Sequence, residues 1–221
     1  MSQTIALVVA AGRGSRLGGD RPKQYLPLAG APILRHTLRA LAAHPDISGV
    51  RAVIHPDDAH AYHAAASGLQ AMAPVLGGAS RQESVLLGLE SLAADPPERV
   101  LIHDGARPFV DAATIDRVLA ALETHAGAIP AIPVADTLKR AGADRTIQET
   151  VPRAGLWRAQ TPQGFRFQEI LAAHRQAAGR VEASDDAAVM ERAGQAVGLV
   201  EGNPENVKVT TQDDLTRAER W

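Results

Sequence analysis

Short β-branched runs alternate along this chain with longer Ala- and Leu-rich stretches of helical period. That alternation restricts the fold more than any other feature. Residues 5–10 read as a buried strand, and Pro32 opens a helical segment whose Ile33, Leu34, Leu38 and Leu41 fall near one face. Strand patterns recur at 50–55, 72–76, 100–103 and 128–134, the last despite two prolines. Helical patterns occupy 57–66, a stretch from about Ser80, and 114–125. Further on, 165–178 and 184–193 read as helices, 196–200 and 207–209 as short strands, and 211–220 as a closing helix with Thr211 as N-cap. Such a βα rhythm predicts an α/β fold of Rossmann-like, three-layer type: a mostly parallel sheet with helices on both faces. One domain over 1–221 accommodates it.

Sheets of this kind bind ligands beyond the carboxyl ends of their strands. The loops after Ala10, Leu76 and His103 should therefore gather at one rim, and they are where glycine and charge concentrate. The first, from Gly12 through Gly19 to Lys23, fits neither common nucleotide fingerprint. No Lys-Ser or Lys-Thr follows Gly18–Gly19–Asp20, and Leu17 stands where a dinucleotide fold wants a third glycine. What remains is a loop of backbone donors flanked by Arg16 and Lys23, an arrangement suited to negative charge growing at phosphorus as pyrophosphate leaves. Lysine is scarce: twenty arginines stand against Lys23, Lys139 and Lys208.

At the end of the 100–103 strand, His103–Asp104–Gly105–Ala106–Arg107 brings a carboxylate and a guanidinium together. Asp104 can hold a divalent metal, orient a ligand hydroxyl, or cap the following turn and pair with Arg107. His103, one residue from Asp104 and so on the other face of the strand, reads as a hydrogen-bonding support. Asp185–Asp186 reads as favourable charge at a helix N-terminus.

Composition removes several function classes. Without cysteine there is no disulfide scaffold, thiolate nucleophile or Cys-based metal centre. The histidines are scattered without zinc spacing, and no GxSxG elbow supports a hydrolase triad. A formal charge of −2 provides no global field for nucleic acid, and 3% aromatics provide few stacking platforms. No apolar run approaches bilayer length, and the first residues lack a signal-peptide pattern. The expectation is a soluble, cytoplasmic protein. Residues 136–158 break the βα rhythm with polar alternation around Gly142–Ala143–Asp144, which predicts a two-stranded arm. Such an arm is marginal alone, and either packs on a second subunit or stands as a surface loop.

Taken in order, Ala10–Ala11–Gly12 with Arg16, Pro22–Lys23–Gln24–Tyr25–Leu26, His103–Asp104–Gly105–Ala106–Arg107–Pro108, Ala135–Asp136–Thr137–Leu138–Lys139–Arg140, Thr161–Pro162–Gln163 and Asn206–Val207–Lys208–Val209–Thr210 resemble the 2-C-methyl-D-erythritol 4-phosphate cytidylyltransferases. The resemblance spans nearly the whole chain. It implies a nucleotidyltransferase fold and a Mg²⁺-assisted reaction in which the phosphate of methylerythritol phosphate attacks the α-phosphate of CTP. It also implies a homodimer in which arm 136–158 completes the neighbouring site, and a place in non-mevalonate isoprenoid synthesis. A ribitol 5-phosphate cytidylyltransferase is the nearest alternative, differing only in the polyol pocket. The end of the chain soon after Lys208 suggests a monofunctional protein.

The resemblance assigns Arg16, Lys23 and Lys208 to catalysis. It gives the nucleotide Ala10, Ala11, Gly12, Gly14, Gly78, Arg81, Ser84 and Gly105. The polyol phosphate takes Asp104, Arg107, Thr137, Arg153, Thr161 and Ser184, with Asp104 also a candidate Mg²⁺ ligand. Ala79 departs from the pattern, standing where the family often carries an aspartate near the base, so weaker base discrimination is expected unless backbone carbonyls read the cytosine instead.

Overall fold

The computed structural model describes residues 3–13 and 22–220. β1 (Thr4–Ala10) pairs in parallel with β4 (Gly49–Ile54) on one side and β6 (Arg99–Asp104) on the other. β5 (Val75–Leu76) extends the sheet beyond β4, while β2 (Pro27–Leu28) and β3 (Ala31–Pro32) form a separate hairpin. On the opposite flank, β11 (Gln163–Arg166) runs antiparallel between β6 and β7 (Gly127–Pro133). β10 (Trp157–Ala159) also runs antiparallel to β7, and β12 (Val197–Glu201) lies parallel to it.

Strand alternation sorts the core into two layers. Ala6 and Val8 face one side, where α1 (Ile33–Ala42), α2 (Ala59–Ala66) and α4 (Ala112–Ala121) contribute Leu34, Leu38, Tyr62, Ile115 and Val118. Ile5 and Leu7 face α3 (Arg81–Glu90), α5 (Phe167–Ala177) and α6 (Asp186–Arg192), which supply Val85, Leu89, Ile170 and Met190. This is the expected α/β sandwich.

Helix starts follow sequence chemistry. Ser80, Asp111 and Asp185 each accept a backbone N–H from the first turn of α3, α4 and α6. Thr211 and Asp214 cap α7 (Gln212–Ala218) reciprocally. Asp111 explains why α4 begins before Thr114.

Three expectations are corrected. The helix expected from 165 starts at Phe167, because Gln163–Arg166 is strand. Phe165 covers Gly127, where a Cβ would come within 2.6 Å of the ring. Residues 207–209 form no strand; Val209 donates one backbone bond to Ala106 O at 2.9 Å and is fully buried with Leu28, Ile33, Leu215 and Ala218. The arm forms as β8 (Leu138–Ala141) paired with β9 (Ile147–Val151), but it ends before Trp157, which returns the chain to the main sheet.

Candidate active site

The carboxyl ends of β1, β4 and β6 open onto a cavity of about 460 Å³. The loops after Ala10, Leu76 and His103 do meet there. Ala10, Ala11 and Gly12 form one wall, backed by Gln24, whose Nε2 donates to Ala10 O at 2.7 Å and Gly12 O at 3.2 Å. That buried amide fixes the short 3₁₀ turn Lys23–Tyr25 and so brings Lys23 to the cavity. Arg13 also lines the cavity and is tied to Asp57 and, at 3.2 Å, to Asp58. Gly14 and Arg16 lie outside the described residues.

Across from this wall, Gly78, Ala79, Ser80, Arg81 and Ser84 line the cavity. Gly77 has no room for a side chain: a Cβ would meet Ala11 Cβ at 2.5 Å and Ser84 Oγ at 2.7 Å. The absence of a side chain lets the two loops close on one another. Ser84 Oγ is buried and accepts Gly78 N at 3.1 Å, so its hydroxyl shapes the turn as well as lining the cavity. Glu83 folds back and accepts Ala79 N at 2.8 Å, so a carboxylate does sit on this turn although Ala79 has none.

Asp104 is the centre of the charge. Its Oδ2 receives Lys208 Nζ at 3.0 Å and Arg107 Nε at 3.2 Å, while Arg81 Nε stands 3.8 Å from Oδ1. Burial opposes ionisation, yet Lys208, Arg81 and Arg107 together hold this carboxyl far below the usual carboxylate range. Lys208 reaches it because buried Val209 anchors the chain against Ala106. Gly105 and Ala106 complete the wall, and Gly105 O accepts Thr37 Oγ1 at 3.1 Å.

Behind Arg81 lies a partner absent from the sequence-based site. The guanidinium makes a two-pronged pair with buried Asp186, Nη1–Oδ1 at 3.2 Å and Nη2–Oδ2 at 2.6 Å. Thus Asp185 caps α6 as expected, whereas Asp186 points inward. Gln163 Oε1 accepts the N–H groups of Asp186 and Ala187 at 3.1 and 3.0 Å and fixes that helix end. Nothing in the local pattern distinguishes Asp186 from Asp185, because its partner is 105 residues away.

Several residues around Asp104 brace its loop. His103 donates from Nε2 to Arg107 O at 3.0 Å, and its Nδ1 accepts Thr161 Oγ1 at 2.9 Å. Thr161 Oγ1 in turn accepts Asp104 N at 3.2 Å. Burial pushes the His103 imidazole down to about 4, so it remains neutral and supports the loop as expected. Thr161 is thereby committed inside the protein. Arg107 spends its other arm on Asn206 O at 2.8 Å and does not line the cavity. Ser184, Thr137 and Arg153 are exposed and also lie outside the lining.

Asp104 is the only carboxylate among the described lining residues, and three cations face its oxygens. Among the described residues, side chains at this cavity offer a metal ion only Asp104, so a bound ion would need most of its ligands from elsewhere. A separate group, His44, Asp46 and Asp116, is spatially compact. However, His44 Nδ1 accepts Asp46 N at 3.2 Å and Nε2 bonds Asp116 at 3.1 Å, leaving the imidazole no free lone pair for an ion.

Residues 4–221 match the family model described as IspD, 2-C-methyl-D-erythritol 4-phosphate cytidylyltransferase. The bifunctional enzyme IspD/IspF of Rhodospirillum rubrum is 63% identical over 221 residues, covering 100% of this chain and 57% of that protein. The chain thus spans about half the length of such bifunctional relatives. The 2-C-methyl-D-erythritol 4-phosphate cytidylyltransferase of Cereibacter sphaeroides is 53% identical, covering 98% of this chain and 96% of that protein. The crystal structure of the Thermus thermophilus enzyme of the same name superposes with a TM-score of 0.83 at 36% identity, over 100% of this chain and 98% of that one. With its glycine-walled cavity and convergent lysines, the chain belongs to the 2-C-methyl-D-erythritol 4-phosphate cytidylyltransferase family.

Proposed function

We propose that this chain transfers the cytidylyl group of CTP to 2-C-methyl-D-erythritol 4-phosphate, giving 4-diphosphocytidyl-2-C-methyl-D-erythritol and pyrophosphate. One observation carries the reading: Lys23 and Lys208, far apart in sequence, line the same glycine-walled cavity at the strand ends. An acceptor phosphate oxygen attacks the α-phosphorus, and the bond to the bridging oxygen breaks with its electron pair leaving on pyrophosphate. Lys23 and Lys208 stabilise the charge that grows on the phosphoryl oxygens, with Arg16 assigned the same role by resemblance. Ala10–Gly12, Gly78, Ser84 and Gly105 let backbone approach the nucleotide. Asp104 holds Lys208 in place and is the candidate partner for a sugar hydroxyl. Mg²⁺, which the family implies, would be held mainly by phosphate oxygens of the bound nucleotide, with Asp104 the one described carboxylate at hand, and would neutralise charge growing there.

The arm fits a homodimer. Thr137 and Arg153 lie outside the cavity of their own chain, and Ile147, Leu156 and Trp157 expose apolar surface nearby in sequence. In the dimer, Thr137 and Arg153 contact the polyol phosphate of the partner subunit. Mixing inactive Arg153→Ala with inactive Lys23→Ala protein then restores activity in heterodimers; no recovery after verified subunit exchange excludes shared sites.

Pyrophosphate release with CTP and Mg²⁺ tests the reaction. Release with methylerythritol 4-phosphate, and none with ribitol 5-phosphate or without acceptor, is expected. Release with ribitol 5-phosphate alone would retain the chemistry and change the substrate. Silence with every acceptor would remove the enzymatic reading. Replacing CTP by UTP and ATP reads the contribution of the Ala79 turn to base choice.

A further inference from the structure

Arg81 reaches Asp104 while being gripped from behind. Asp186 Oδ1 receives both Arg81 Nη1 and His174 Nε2, each at 3.2 Å, and Oδ2 receives Arg81 Nη2 at 2.6 Å. His174 is itself buried on α5, and its Nδ1 has no protein partner. With Nε2 committed to Asp186, Nδ1 is left without a protein partner, and an unpaired buried polar atom is unfavourable. The imidazole's side-chain hydrogen bond therefore goes to one oxygen of the carboxylate that orients Arg81. Residue His174 also borders a second cavity, of about 400 Å³, with Gln82, Glu83, Leu86 and Glu182, although its side chain is fully buried and only truncation would open it to that space.

We infer that His174 is a positioning residue for the phosphoryl transfer: by fixing the Asp186 carboxylate it sets Arg81, and through Arg81 the Asp104 carboxylate that holds Lys208. The inference rests on the cytidylyltransferase reading. His174 is fully buried outside the cavity lining and acts only through Asp186 and Arg81, so the inference places the effect of its loss on the alignment of Lys208, read in turnover, rather than on direct nucleotide contact. A glutamine can place its amide nitrogen where Nε2 stands and keep the donor, whereas leucine fills the space without one.

The test is pyrophosphate release by the native protein and by His174→Leu, His174→Gln and His174→Ala, with melting curves to verify folding. His174→Leu is expected to lower kcat about tenfold while changing KM for CTP less than about twofold, the scale of coupling through a packed network. His174→Gln should stay within about twofold of native. Imidazole, admitted through the second cavity, should recover most of the loss in His174→Ala. Native-like kcat in folded His174→Leu overturns the inference, as does a loss in His174→Gln equal to that in leucine, or no recovery with imidazole. If leucine prevents folding, the glutamine and imidazole arms decide. No turnover by the native protein would instead overturn the cytidylyltransferase reading, and the inference with it.

Discussion

The rim and the arm are built from the same ion-pair chemistry and put it to opposite uses. At the rim, Asp104 and Asp186 are buried and each is held by more than one group. On the arm, Arg140 pairs with Glu149 and Lys139 donates to Thr150 Oγ1, all in the open. Water screens the Arg140–Glu149 pair, so it contributes about 0–1 kcal/mol. Burial removes that screening at the rim, where a missing partner leaves a charge stranded. Position, and not residue type, decides whether an arginine–carboxylate pair is decoration or machinery.

The comparison can be broken at its strongest point first. Asp186→Ala should cost about 3–5 kcal/mol, because the Arg81 guanidinium remains without its principal partner. Urea unfolding reads this directly, and a loss below about 1 kcal/mol would place the rim pair in the same class as the arm. Next in size, Lys23→Ala or Lys208→Ala should lower kcat by about 10²–10³-fold, the effect of removing one transition-state donor, with the fold retained. Near-native turnover in a folded variant would remove that lysine from the chemistry.

Acid sharpens the contrast further. His103 is held neutral in the folded protein, with its value pushed down to about 4 by burial, while the unfolded chain titrates near 6.5. The unfolded state therefore takes up the proton first. This contribution is complete above about pH 6.5 and is lost as pH falls towards about 4, amounting to about 3 kcal/mol at most. His103→Gln should flatten that part of the stability–pH curve, and an unchanged slope would show that the loss arises elsewhere. Smallest of all, Glu149→Ala on the arm should cost less than about 1 kcal/mol, and less again at high salt. A loss above about 2 kcal/mol would mean that the arm pair is covered by another surface.

Much of the layer structure was legible because it is periodic. The runs at β1, β4 and β6 and the stripe Leu34, Leu38 and Leu41 follow directly from burial on a strand or one helical face. β11 was not legible: four residues with Phe165 and Phe167 alternating run straight into a helix, so the helical period hides them. In the site, the glycine loop, Lys23 and Asp104 could be found locally, and Lys208 came from the ordered resemblance. The network behind them could not. Arg81 and Asp186 lack local cues to one another, and Thr161 and Arg107 have the chemistry of ligand contacts but are spent on His103, Asp104 and Asn206. Distant partners decide those roles, and one-dimensional patterns do not encode distance.

Asp104 also supplies the cavity with its own counter-ion. Lys208 stands 3.0 Å from a carboxylate that two arginines also face, so it already has an anionic partner. An incoming anion must therefore compete with a resident one. A simple monoanion offers Lys208 little that Asp104 does not already provide, whereas a triphosphate presents several oxygens to Lys23 and Lys208 together. If the proposed reaction holds, departure of pyrophosphate would return Lys208 to the carboxylate, and the exchange that admits the polyanion would also favour its release.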